Sequence, residues 1–179
     1  MAIDYINTFW GNIFHSFSSQ NEKDEIELLR RIPIFKDLKR KELKTISGIL
    51  YERTYEQGEY MFETGQPGAA MFIIKAGELI INRKKSSGEE VELATLGDGE
   101  FVGELALLDN SPRSASAFVS QKTKALAIFR SDLDHLLEQH SQLGMHVMKK
   151  LAVIIGMRLK ATNDLLLSLE EEVEHGKTG

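Results

Sequence analysis

From Tyr51 to Phe129 the apolar residues fall at every second position, in short runs broken by glycine, and no other feature restricts the fold as strongly. The runs are Tyr51–Glu56, Tyr60–Phe62, Ala70–Lys75, Glu78–Lys84, Glu89–Thr95, Ser114–Ser120 and Lys124–Phe129. Gly58, Gly65-Gln66-Pro67-Gly68, Ala76-Gly77, Ser86-Ser87-Gly88 and Gly97-Asp98-Gly99 punctuate them. Side chains two apart share one face of a strand. Many short strands joined by glycine turns, with no helical pattern between them, predict a double-sheet roll or barrel. Helical spacing on both sides makes the expected class mixed α+β, a β-roll or jelly-roll barrel flanked by N-terminal helices and a long C-terminal helix. With 179 residues and 42% apolar content, the chain suits one packed domain with appended helices.

One turn in this region gathers glycine, a carboxylate and a guanidinium: Phe101-Val102-Gly103-Glu104-Leu105-Ala106-Leu107-Leu108, then Pro112-Arg113-Ser114-Ala115. A short helical turn opening at Gly103 would present N–H groups to an anion. Arg113 adds a full charge on a planar fork that suits two phosphate oxygens. Glu104 would repel the same anion, so its carboxylate is expected to accept a proton from a neighbouring sugar hydroxyl. Anion and hydroxyl together point to a nucleotide. The plainer alternative is a surface ion pair between Glu104 and Arg113 across the turn.

These two segments resemble the phosphate-binding cassette of the cyclic nucleotide-binding domain family, although Ser116 stands where that family more often has threonine. The resemblance covers residues 24 to about 166. It implies that Glu104, with Gly103, binds the ribose 2′-hydroxyl. It also implies that Arg113 and the amides of Ser114 and Ala115 hold the cyclic phosphate, with the N–H groups of Gly103, Glu104 and Leu105 completing the cradle. On binding, Leu107 and Leu108 would move and let the following helices swing inward.

Outside the strands, Ile3, Ile6, Trp10, Ile13 and Phe17 share one helical face, widened by Phe9 and Phe14. A helix lying on a membrane surface usually carries Lys or Arg on its polar side; this one offers only Asp4 and His15, so docking on protein is the expected use and a membrane surface the alternative. Ser18–Glu22 reads as a short linker or helix cap, Asp24–Arg31 and Lys39–Leu50 as helices, and Ser131 as the cap of a helix to Glu138. A longer helix is expected from Gln142 to Val173. On it Met148, Leu151, Ile155, Arg158, Thr162, Leu165 and Leu169 form a heptad seam suited to pairing with a second copy. Arg158 and Thr162 interrupt that seam. Register control or plain exposure is one explanation; a ligand lying against the helix is the other, and the family resemblance implies that Thr162, Asn163 and Arg158 cap the base, Asn163 from the other subunit. The expected partition is an extension at 1–22, the nucleotide-binding β-roll with its helices at 23–141, a dimerisation and capping helix at 142–174 and a disordered tail at 175–179.

Charge and composition narrow the function. A net charge of −5 offers no basic field for nucleic acid, and the sixteen residues after Asn163 are too few for a recognition-helix domain. No cysteine is present, which excludes thiol chemistry and suits a reducing, cytoplasmic setting. His15, His135, His140, His146 and His175 all lie outside the strands, whereas a metalloenzyme on a β-roll needs histidine ligands inside it. Neither a nucleophile with its base nor an acidic dyad is evident, so no catalysis and no metal are expected. No run reaches the about 18 apolar residues that a membrane span needs. The expectation is a homodimeric cytoplasmic sensor of cyclic AMP, with cyclic GMP the other candidate ligand. An adaptor module of the same fold that no longer answers to nucleotide is the alternative.

Overall fold

The computed structural model describes residues 19–177. The apolar face at 3–17 and its expected docking therefore lie outside the described residues. Helices α1 (Ser19–Arg31) and α2 (Arg40–Ser47) precede strands β1 (Tyr51–Tyr55), β2 (Tyr60–Phe62), β3 (Ala70–Lys84), β4 (Glu90–Leu96) and β5 (Phe101–Val102). A single turn of 3-10 helix, Glu104–Leu107, leads through a loop to β6 (Ser116–Phe129), and α3 (Arg130–Gln139) and α4 (Ser141–Lys177) follow. The strands form one antiparallel sheet in the order β1-β6-β3-β4, with β2 also on β6 and β5 on β3. The mixed α+β roll expected from the sequence is the fold.

Period-two patterning builds two cores on the two faces of the long β3–β6 ladder. Met71, Ile73, Leu126 and Ile128 face the helices, where they meet Ile26, Leu29, Leu43, Leu136, Leu143, Val147 and Leu151. Their neighbours Ala70, Phe72, Ile74, Ala125 and Ala127 fill the inside of the roll with Tyr55, Phe62 and Leu79. Ala70–Ile74 is an unbroken apolar run because both of its faces are covered.

Several boundaries differ from the sequence expectation. Ala70–Lys75 and Glu78–Lys84 are one strand, as are Ser114–Ser120 and Lys124–Phe129 once β6 begins at Ser116. The glycine taken as a turn, Gly77, is a bulge: its φ is +115°, and the register shifts beside it while pairing with β6 continues. Thr123 explains why the ladder survives. Its buried Oγ1 accepts from the Glu78 N–H at 3.1 Å and donates to the Gln121 carbonyl at 2.7 Å, so the two kinks brace each other. Ser19–Glu22 is the first turn of α1 and neither a linker nor its cap, a start that the apolar spacing from Ile26 onward does not mark. Ser131 does not cap α3; it sits in the first turn, and the Phe129 N–H instead donates to the Asp132 carboxylate at 3.3 Å. Helix α4 continues through His175–Lys177, where a disordered tail was expected.

The expected seam of α4 is also corrected. Leu151 is fully buried in the chain's own core, and Arg158 turns toward the 3-10 turn. Both therefore belong to the face that packs on this domain. Near its start α4 is tied to the turn before α2 by an ion pair between Lys150 and Asp37, and the Lys150 ammonium holds the Asp37 carboxyl below the usual carboxylate range. No helix among the described residues is long and apolar enough to cross a membrane.

Candidate functional site

The site is assembled where β5 ends. Phe101 and Val102 pair with Ile73 and Phe72 of β3, so the next residues emerge beside the most buried part of the sheet. Gly103 then takes a φ of +79° and starts the 3-10 turn, a reversal that a side chain would strain. Within the turn Glu104, Ala106 and Leu107 are buried, while Leu105 and Leu108 stay exposed. A single four-residue turn carries little dipole, so the charge of the site must come from side chains.

That charge is Arg113. Its backbone is laced to the loop after β2: the Arg113 N–H donates to the Gln66 carbonyl and the Gly65 N–H donates to the Arg113 carbonyl, both at 2.8 Å. Its guanidinium is directed inward, where Nη2 donates to the Ala70 carbonyl at 2.7 Å and Nη1 to the Gly103 carbonyl at 3.2 Å. The Phe62 ring centroid lies 4.1 Å from the guanidinium carbon. Nε is buried without a hydrogen-bond partner. Only 9% of Arg113 is exposed, and no ion pair to it exists among the described residues. The plain surface pair between Glu104 and Arg113 is therefore not what forms. Burial pushes the guanidinium below its ordinary value, opposed by the nearby Tyr55 and Glu104, yet an arginine stays charged in proteins. A buried, uncompensated cation with an idle donor is suited to an anion. The nearby Tyr55, with its hydroxyl unpartnered, has its pKa raised by burial to about 12 and stays neutral.

Glu104 is 8% exposed and already has a partner: Arg158 of α4 donates from Nη1 to Glu104 Oε1 at 2.7 Å. The Arg158 guanidinium also rests over the Phe101 ring, 4.9 Å from its centroid. The structure thus puts Arg158 on the carboxylate expected to read ribose. Thr162, one turn further, spends its hydroxyl on the Arg158 carbonyl at 2.9 Å. Asn163 is exposed and turned about 100° around the helix from Thr162. Among the described residues neither is hydrogen-bonded to the turn. Ser114 is exposed and Ala115 half-buried, directly after Arg113.

Gly103, Glu104, Arg113 and Arg158 are therefore brought together, and Thr162 and Asn163 are not. Sequence reasoning overlooked Phe62 and Arg130. Arg130, the first residue of α3, donates from Nε to the Ala106 carbonyl at 2.9 Å and from Nη2 to the Gly68 carbonyl at 2.5 Å, and also bonds Asn110. It fastens α3 to the end of the 3-10 turn. Nothing in the local pattern marks either residue, because their partners lie far away in the chain. Among the described residues no group of three or more His, Asp or Glu could hold a metal.

The chain as a whole is similar to known proteins. Residues 52–140 match the family described as the cyclic nucleotide-binding domain. The chain is 36% identical over 142 residues to the cyclic AMP receptor protein of Thermus thermophilus, an alignment that covers 78% of this chain and 63% of that one. It is 32% identical over 128 residues to the cAMP-dependent protein kinase regulatory subunit of Mycosarcoma maydis, covering 65% of this chain and 24% of the subunit. The chain thus spans under two thirds of the length of these relatives. The solved structure of a cyclic nucleotide-binding domain from Methylobacillus flagellatus superposes with a TM-score of 0.76 at 22% identity, over 91% of this chain and 92% of that one, which establishes the fold.

Proposed function

Since this chain belongs to the cyclic nucleotide-binding domain family, we propose that it is a non-enzymatic, cytoplasmic sensor that binds a 3′,5′-cyclic nucleotide, cyclic AMP in the first place, inside the β-roll. One observation carries the reading: among the described residues Arg113 is a buried cation with no carboxylate partner and a free Nε, beside a turn that begins at a positive-φ glycine. In this reading Arg113 and the amides of Ser114, Ala115 and Leu105 hold the cyclic phosphate. Gly103 and Glu104 receive the ribose hydroxyl, with Arg158 orienting the Glu104 carboxylate. Thr162 and Asn163 approach the base only if α4 shifts or a second chain supplies it.

The output is a change in helix packing. Arg130 links the end of the 3-10 turn to α3, so a ligand that reshapes the turn pulls on α3 and then α4. A second copy pairs along α4, but on a seam one step round from the first expectation. With Leu151 and Arg158 committed to their own domain, and Met148 packed on its core, the free stripe is Ala152, Ile155, Leu159, Thr162 and Leu166, again at steps of three and four. Leu159 and Leu166 are 60% and 54% exposed, a cost that a partner helix would remove.

Calorimetry on nucleotide-stripped protein tests the proposal. Cyclic AMP should bind, cyclic GMP should bind more weakly by about 1–3 kcal/mol, and a 2′-deoxy analogue should lose affinity. Absence of binding by both natural nucleotides would leave the adaptor alternative.

A further inference from the structure

Arg113 is held in a way that bears on how its charge is kept available. A buried arginine is usually fixed by a carboxylate, but a carboxylate would cancel the field that an anion must feel. Here two backbone carbonyls and an aromatic face take that place. The guanidinium carbon lies 4.1 Å from the Phe62 ring centroid and 5.8 Å from that of Phe72, and the two rings are stacked on each other with centroids 6.1 Å apart. Phe62 is the last residue of β2, and its cross-strand partner on β6 is the small Ala117. The negative face of an aromatic ring attracts a cation without neutralising it, and does so most strongly where water is excluded.

We infer that Phe62 is a positioning residue of this site: its ring face seats the Arg113 guanidinium in a dry pocket with its charge uncompensated, so that the pocket is set for a singly charged anion before the ligand arrives. The inference rests on the reading of Arg113 as the phosphate holder and adds a residue that acts only through it. A Phe62 that merely filled the core would be replaceable by any apolar side chain of its size. A seat requires the electron-rich face.

The two roles separate when the ring is kept and its electrons are withdrawn. Phenylalanines bearing one, two or three ring fluorines, placed at 62 in the full chain, should weaken cyclic AMP binding progressively while the melting temperature stays near that of the wild type. Phe62→Leu should lose about 3- to 30-fold in affinity, and Phe62→Tyr should restore it to within about twofold. Affinity indifferent to fluorination, or a leucine variant that binds as the wild type does, would overturn the seat. Failure of the wild type itself to bind any cyclic nucleotide would overturn the proposed function, a result distinguishable because it appears before any substitution is made.

Discussion

Two arginines meet the same turn under opposite conditions. Arg113 is 9% exposed, has no ion pair among the described residues and keeps a buried Nε idle. Arg158 has a side chain 48% exposed and is paired at 2.7 Å with Glu104. A buried charge loses most of its hydration, and leaving it without a counter-charge is costly unless a ligand completes it. Arg158, half in water, gives up little when its pair opens, because water takes the place of the Glu104 carboxylate at its end. The first arginine is therefore built to receive something and the second to let go of something. The contrast follows the chain as well. Arg113 is held by loops and strands that border the turn, whereas Arg158 reaches it from α4, whose residues 156–168 are exposed.

The sharpest way to break this contrast is to remove the buried charge. Arg113→Ala should weaken cyclic AMP binding by about 2–5 kcal/mol, roughly 30-fold to several thousandfold, with the fold intact by circular dichroism. Unchanged affinity in a folded variant would take the phosphate away from Arg113. Next in size is the free face of α4. A Leu159→Glu, Leu166→Glu variant should weaken self-association by at least about 30-fold, since each places a charge where an apolar contact is proposed. Sedimentation at micromolar concentration reads this directly, and a variant as dimeric as the wild type would put the seam elsewhere. Smallest is the paired arginine: Arg158→Ala should change nucleotide affinity by less than about fivefold, because the half-exposed guanidinium acts on the ligand only through the Glu104 carboxylate, which keeps its own acceptor oxygens. A loss as large as that of Arg113→Ala would erase the distinction between the two.

Much of this was legible in the residues. The double-sheet roll followed from period two and glycine turns, and the turn itself from Gly103, Glu104 and Arg113, all within a dozen positions of one another. Errors arose where two distant segments had to agree. Gly77 resembles a turn until Thr123, forty-odd residues later, braces it as a bulge. The α4 stripe allows Leu151 or Ala152 to face a partner with equal regularity, and only packing against Leu126 and its neighbours assigns Leu151 inward.

By itself, then, the sequence determined the secondary elements whose side chains repeat with a local period, and the chemical types crowded into one short turn. Those depend on backbone geometry over a few residues, which is the same in any context. Tertiary structure alone decided that Arg158 lies on Glu104 from 54 positions away, that Arg130 ties a helix to the turn, and that Phe62 lies under Arg113. Such contacts depend on which of several faces a helix or strand turns toward the core, and that choice minimises exposed apolar area over the whole domain, a quantity no local window contains.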